Sequence, residues 1–330
     1  MLPASLPPVS ALSAAGLWAQ GDGPFWLPPP DSTTAETVDG LMYFLLYVSL
    51  FFFALIVGLM LLFVILYRRR PGHKQRPAPK SSLALELTWT LIPLVIVVII
   101  FYWGFTGYME MRLPPREHYE IEVVGRQWSW LFKYGNGHID SDLHVPVDRP
   151  VQLLMRSEDV IHSLWIPDFR VKMDLVPGRY TKTWFKATKP GMHALFCAEY
   201  CGTRHGDMTA AVIVHEPGQF EVWLEDAARA AADMTPAQRG EYLYNRLGCF
   251  GCHSLDGTAR TGPSLRGIFG QTHRFTDGSE ATVDENYIRQ SILDPSAKVR
   301  EGFRDQMNSY QGQVSDEDIA AIIALIKSLE

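Results

Sequence analysis

Two long apolar runs dominate the first third of the chain. Residues 41–67 carry no charged side chain and exceed the roughly 20 residues that cross a bilayer as helix. A second uncharged run covers about residues 87–108, with Pro93 near its start and Tyr102, Trp103 and Tyr108 toward its far end, where interfacial aromatics belong. Both read as membrane spans. The loop between them holds Arg68, Arg69, Arg70, Lys74, Arg76 and Lys80 with no acid, which puts it in the cytoplasm by the positive-inside rule. Both termini, and everything after about residue 111, are therefore expected outside. From 117 to 215 the pattern changes to short alternating or apolar runs split by Gly, Pro and Asp (IEVVG, WSWLFKY, VQLLMRS, TKTWFKA, HALFC, AAVIVHE), the signature of a β-sandwich or barrel. Trp128, Trp130 and Phe132 alternate and read as aromatics along one strand. A Glu-, Ala- and Asp-rich stretch, part helix and part linker, follows to residue 235. Thr235 and Pro236 then mark the start of a helix leading into Cys249, and Ser315 with Glu317 and Asp318 marks the start of the last one.

Composition adds that the average hides this segregation. With 330 residues, 47% hydrophobic content and a formal charge of -6, two or three domains are expected, and nothing in the charge balance suggests a nucleic-acid partner. Residues 1–37 contain no Lys or Arg, so the basic start of a signal peptide is not visible; an external N-terminal segment is expected.

The chemistry lies in two cysteine motifs. CAEYCGTRHGDM, from Cys197 to Met208, sets two thiolates, an imidazole and a thioether in one loop. Thiolate and thioether select Cu(I) and imidazole retains Cu(II), so the set suits copper passing single electrons. Two cysteines in place of one point to a binuclear centre. His162, in DVIHSLWIPDF, is the obvious further ligand; His193 and His215 are weaker ones. A disulfide or a zinc site is the alternative. The second motif, CFGCH at Cys249, Cys252 and His253, is the attachment signature of c-type haem, since two thiols add to the haem vinyl groups and the histidine reaches the iron. Met307 is the only methionine after it and is the expected sixth ligand. His273, its imidazole rival, is expected at the surface.

The sequence H-S-L-W-I-P followed by C-A-E-Y-C-G-x-x-H-x-x-M resembles the dinuclear copper A site of cytochrome c oxidase subunit II, and residues 236–330 resemble a class I cytochrome c. The resemblance covers residues 38–330. It implies a two-helix transmembrane hairpin (38–110), an all-β cupredoxin-like barrel (111–218), a linker (219–235) and an all-α class I cytochrome c domain (236–330). It implies that Cys197 and Cys201 bridge both coppers, that His162 and Met208 complete one, and that His205 and the Glu199 carbonyl complete the other. The Glu199 side chain would hold magnesium at the subunit I interface. Gly262 and Pro263 resemble the loop whose carbonyl orients the haem histidine. Trp128 would be the surface aromatic where electrons enter, although a tethered donor makes another entry point conceivable. Glu86, which by physics alone reads as an interfacial charge, resembles the glutamate at the mouth of a proton-uptake path.

The implied role is the electron-entry subunit of a respiratory oxidase in the bacterial inner membrane, with subunits I and III and an external carrier such as a cytochrome c as partners. A copper A subunit of a nitric oxide reductase or nitrous oxide reductase is the rival within the class. A membrane-anchored copper chaperone is the rival outside it, one that would need neither the H-x2-M tail nor the haem motif.

Overall fold

The computed structural model describes residues 27–71, 81–230 and 234–329. Lys74, Arg76 and Lys80 of the basic loop and the first 26 residues lie outside the described residues.

Helix α1 (Thr33–Tyr67) starts where Ser32 accepts the Ala35 N–H, satisfying one of the orphan donors of a helix start. Helix α2 (Leu83–Arg112) carries Pro93 inside it and Glu86 in its first turn. Both extend past the apolar runs at their outer ends. None of either helix's most apolar 18-residue window is buried against protein, and Ile56, for example, is 62% exposed. So much outward-facing apolar surface is stable only in lipid. The helices meet at their outer ends, where Phe44 lies 5.4 Å from Trp103 and Gly107 approaches Thr37, small residues permitting close contact.

The barrel is two five-stranded sheets. Strands β1 (Tyr119–Arg126), β2 (Ser129–Lys133), β3 (Ile139–Asp140), β5 (Pro150–Ser157) and β8 (Thr181–Lys186) form one, in the order β3-β2-β1-β5-β8. Strands β4 (Leu143–Pro146), β6 (His162–Ile166), β7 (Val171–Leu175), β9 (Gly191–Cys197) and β10 (Thr209–His215) form the other, in the order β4-β10-β9-β6-β7. The β1–β5 and β4–β10 pairs are parallel and the rest antiparallel. Alternate residues point inward, and Val123, Phe132, Leu153, Leu164, Leu195 and Val212 are fully buried, each contributing roughly 1.5–3 kcal/mol.

The hairpin is bolted to this barrel. Asp39 of α1 accepts two hydrogen bonds from Arg170 at 2.8 Å each, and the Trp184 indole donates to the Glu110 carbonyl at 3.0 Å. Planar two-pronged pairing of this kind fixes orientation as well as distance. Helix α3 (Gln219–Ala230) occupies most of the stretch read as linker. It packs back on the barrel, with Phe220 buried and Trp223 stacked on His144 at 3.8 Å.

In the C-terminal domain, α4 (Pro236–Arg246) opens with a capping box between Thr235 and Gln238, and α6 (Asp316–Ser328) opens with one between Ser315 and Asp318. The two cross at Gly240, against the Ala321 carbonyl, and Arg239 ties to Asp318 at 2.8 Å. A short helix α5 (Glu285–Leu293) and a small hairpin of β11 (Thr272–Arg274) and β12 (Glu280–Thr282) complete the fold.

Two expectations need correction. His273 is not at the surface: it sits in β11 and is 6% exposed, because the hairpin turns it inward. Trp128 is not in a strand beside Trp130 but in the turn between β1 and β2. Nor is it a surface residue, being 6% exposed; the haem-motif loop and the copper loop close over it.

Candidate metal centre and haem cleft

The loop from Cys197 to Met208 joins β9 to β10. Its ends are closed by Cys197 N–H donating to the Met208 carbonyl at 3.1 Å. Its back is pinned to β6, where Ala198 N–H donates to the Ser163 carbonyl at 2.8 Å. Pairing of β6 with β9 sets Leu164 opposite Cys197, which puts His162, first residue of β6, under the loop. The sulfurs of Cys197 and Cys201 are 3.8 Å apart. His162 Nδ1 is 4.0 Å from the Cys197 sulfur, and His205 Nδ1 is 3.6 Å from that of Cys201. The Met208 thioether lies 3.8 Å from the Cys201 sulfur, and the Glu199 carbonyl lies 3.2 Å from that of Cys197. Six donors thus converge from the six residues singled out in the sequence. The donor set of two thiolates, two imidazoles, a thioether and a carbonyl fits copper in both oxidation states.

The remaining histidines are engaged elsewhere: His193 Nδ1 is 2.7 Å from Asp168, and His215 is 2.8 Å from His144. The Glu199 side chain is exposed, as is Glu86 at the other end of the structure.

Two supporting residues were not foreseen. Asp159 accepts from His162 Nε2 at 2.8 Å and from Gln127 N–H at 2.6 Å, which leaves His162 Nδ1 free to face the sulfurs. Gln127 then donates to the Cys201 carbonyl at 2.6 Å. Such outer partners orient ligands and tune their basicity. The only signal in the sequence is a carboxylate three positions before His162. Burial works against charged His162, yet its hydrogen bonds to Asp159 and Cys197 prevail and raise its pKa. The hydrogen bond from Cys201 lowers the Cys197 pKa, and Cys201 is raised, first by its bond to Cys197 and then by burial. Gly202, at φ +128, packs so tightly on Gln127 and Trp128 that a Cβ there would lie 2.9 Å and 3.1 Å from them.

The second cleft, largely apolar, is lined by Cys249, Cys252, His253 and Met307 together. His273 does not line it. His253 Nδ1 is 2.8 Å from the Pro263 carbonyl. A carbonyl only accepts, so Nδ1 carries the proton and Nε2 keeps its lone pair for a metal. Burial lowers the His253 pKa against that hydrogen bond, which keeps the ring neutral. Gly262 is required beside it: a Cβ there would lie 2.8 Å from the imidazole. Both thiols are free, and burial pushes Cys249 up to about 11. A thioether-forming pair, a neutral imidazole and a thioether in one apolar cleft fit a haem.

The two sites adjoin. Cys252 packs on the barrel core that includes Trp128, Cys197 and Cys201. Gly248, at φ +73, approaches Ser129 so closely that a Cβ would lie 2.6 Å from its hydroxyl.

Comparison with known proteins agrees along the chain. The family described as cytochrome c oxidase subunit II, transmembrane domain, matches residues 20–106. The one described as cytochrome c oxidase subunit II, periplasmic domain, matches 137–215, and cytochrome c matches 237–330. Cytochrome c oxidase subunit 2 of Alkalihalophilus pseudofirmus is 31% identical over 296 residues, covering 83% of this chain and 82% of the relative. That of Thermostichus vulcanus is 32% identical over 274 residues, covering 66% of this chain and 84% of the relative. Among solved structures, the periplasmic domain of subunit II of cytochrome oxidase from Bradyrhizobium japonicum is 34% identical, covering 36% of this chain and 99% of that one, with a TM-score of 0.34. The chain, from its membrane hairpin through its copper barrel to its cytochrome c domain, belongs to the cytochrome c oxidase subunit 2 family.

Proposed function

We propose that this chain is the electron-entry subunit of a respiratory terminal oxidase, taking electrons from an external carrier at a covalent haem c and passing them through a dinuclear copper centre toward oxygen reduction in subunit I. As a family member it is a membrane-anchored subunit of a haem-copper oxidoreductase complex and partners subunit I. Copper A and haem, when bound, supply one-electron redox chemistry without proton transfer at the protein ligands.

The observation that carries the reading is the adjacency of two donor sets, six atoms that include the Cys197 and Cys201 sulfurs and four residues around the cleft at His253. On this reading His162, Cys197, Glu199, Cys201, His205 and Met208 hold the copper pair. Cys249 and Cys252 would carry a haem by thioether bonds, and His253 and Met307 would supply the ligands to its iron. The residues' own work is to hold geometry: Asp159 and Pro263 fix the two imidazoles so that little rearranges when an electron arrives.

Trp128 is the aromatic between the sites, and its burial favours transfer from the tethered haem domain over direct entry from solution. The exposed Glu199 side chain suits a magnesium ion shared with subunit I. Glu86, at the inner end of α2, suits a proton-uptake role. The proposed location is the bacterial inner membrane, and Arg68, Arg69 and Arg70 at the inner end of α1 support an orientation with both termini outside. Subunit III and a soluble cytochrome c are the expected further partners, and the limits 38–110, 111–218 and 236–330 are the proposed domains.

Paramagnetic resonance of the purified, half-oxidised complex tests the copper reading: hyperfine coupling shared by two equivalent copper nuclei is expected. Coupling to a single nucleus overturns it, and a complex that consumes no oxygen overturns the oxidase role.

A further inference from the structure

The boundary between the copper barrel and the haem domain is built around one side chain. Arg126, the last residue of β1, is 1% exposed. Its guanidinium carbon lies 4.4 Å from the centre of the Tyr310 ring, and its Nη2 reaches the Leu247 carbonyl at 3.5 Å. It also lines a small cavity with Cys249, Cys252, His253 and Met307. The side chain therefore starts in the copper domain and ends in the wall of the haem cleft.

Its charge is poorly compensated. Nε and Nη1 find no hydrogen-bond acceptor among the described residues. The nearest carboxylate, Glu158, is 3.8 Å from Nη1 and is held at 3.0 Å by Arg156 instead. A guanidinium cannot discharge by losing its proton, and a buried charge without full partners is strongly unfavourable. Arg204 of the copper loop also faces Cys252, but it has its own carboxylate, Asp207, at 2.9 Å. Lys298, Arg300 and Arg304 also line the haem cleft, but none of them is buried; Arg126 is, and burial keeps its field from being screened by salt.

We propose that Arg126 is a cross-domain positioning residue: it clamps the haem cleft against the copper loop and raises the reduction potential of the haem held there. The inference rests on the covalent-haem reading above. A fixed positive charge stabilises whichever redox state carries one electron more, so its removal lowers the potential. The clamp and the charge are separable. The planar face against Tyr310 needs arginine, whereas the field needs only a cation.

The test is a spectroelectrochemical titration of the haem in the intact complex carrying Arg126→Gln, Arg126→Lys or Glu158→Gln. Arg126→Gln should lower the haem's one-electron equilibrium constant about tenfold, roughly 59 mV, with its absorption spectrum retained. Arg126→Lys should keep most of the potential while slowing electron transfer from haem to copper, because the stacked contact is lost. Glu158→Gln removes the carboxylate nearest to Arg126 and should raise the potential; it keeps the proposal testable if Arg126→Gln does not assemble. A one-electron equilibrium constant within twofold of wild type in Arg126→Gln, or no rise in potential in Glu158→Gln, overturns the proposal. Absence of covalent haem from the wild-type chain would instead overturn the reading beneath it.

Discussion

Gly240→Ala is the sharpest test of how the haem domain is held together. Helix α4 crosses α6 at this glycine, and a methyl group there would stand 2.1 Å from the Ala321 carbonyl oxygen and 2.7 Å from Leu325 Cβ. Carbon and carbonyl oxygen approach ordinarily to about 3.3 Å, so the helices must part by roughly 1.2 Å. The seam they share includes Leu243, Ile322 and Leu325, all buried. A buried leucine makes about 40–60 contacts of ~0.1–0.2 kcal/mol, and a gap of ~0.5–1 Å forfeits a quarter or more of them, or ~1–3 kcal/mol per side chain. Two such side chains lose ~2–6 kcal/mol, against which alanine's better helix propensity returns ~1 kcal/mol. The net expectation is a loss of ~1–5 kcal/mol, centred near ~3, a large share of a small domain's stability. At ~4–8 °C per kcal/mol for a domain of this size, the central ~3 kcal/mol should make the haem domain melt roughly 12–24 °C lower. Thermal unfolding of the purified chain in detergent, followed by circular dichroism and by haem absorbance, reads this. Gly135→Ala, where a Cβ meets nothing within 4 Å, is the control and should change little. If Gly240→Ala melts with wild type, the close crossing does not organise the domain and the reasoning fails.

Further expectations concern the two sites and the barrel. Met307→Ala removes the only thioether lining the haem cleft; the iron should accept added imidazole or carbon monoxide and its potential should fall, and an unaltered spectrum would count against methionine ligation. Asp159→Ala leaves His162 Nε2 and Gln127 N–H without their acceptor, so copper affinity should drop ~10–100-fold in chelator competition, while equal affinity would show that His162 needs no second anchor. Asp142, which accepts from Ala211 N–H at 2.7 Å, is raised by burial to about 6. A carboxyl raised in the folded state stabilises in its protonated form. Its contribution is complete below its unfolded value near 3.8 and lost as pH rises through 6. Asp142→Asn, neutral throughout, should therefore be more stable than wild type at pH 8, by at most about 3 kcal/mol. It should match wild type near pH 3.5, and an equal gain at both pH values would refute the titration argument.

The two spans, the strand-rich middle and the start signals of α4 and α6 were legible because each is a local property. Hydropathy, alternation and capping residues act within a few positions of themselves, and an uncharged run of this length has few places to go but a bilayer. The six residues that the structure gathers at the proposed copper site were legible for a similar reason, since five of them, from Cys197 to Met208, share one loop. His162 is the exception, named by its own motif and delivered by the pairing of β6 with β9. What the sequence left undetermined is everything fixed by contact between distant segments. Asp159 stands only three positions before His162, a faint local signal, whereas Gln127 reaches Cys201 across 74 residues, and no spacing rule announces that. His273, polar and flanked by Thr272 and Arg274, reads as surface and is buried because a hairpin folds it inward. Trp128 reads as one of three alternating aromatics, yet it lies in a turn, covered by a domain that begins more than a hundred residues later. Arg126 looks like an ordinary strand-end cation until the haem domain docks on it. Burial and unmet charge are properties of what surrounds a residue, and only the tertiary structure supplies the surroundings.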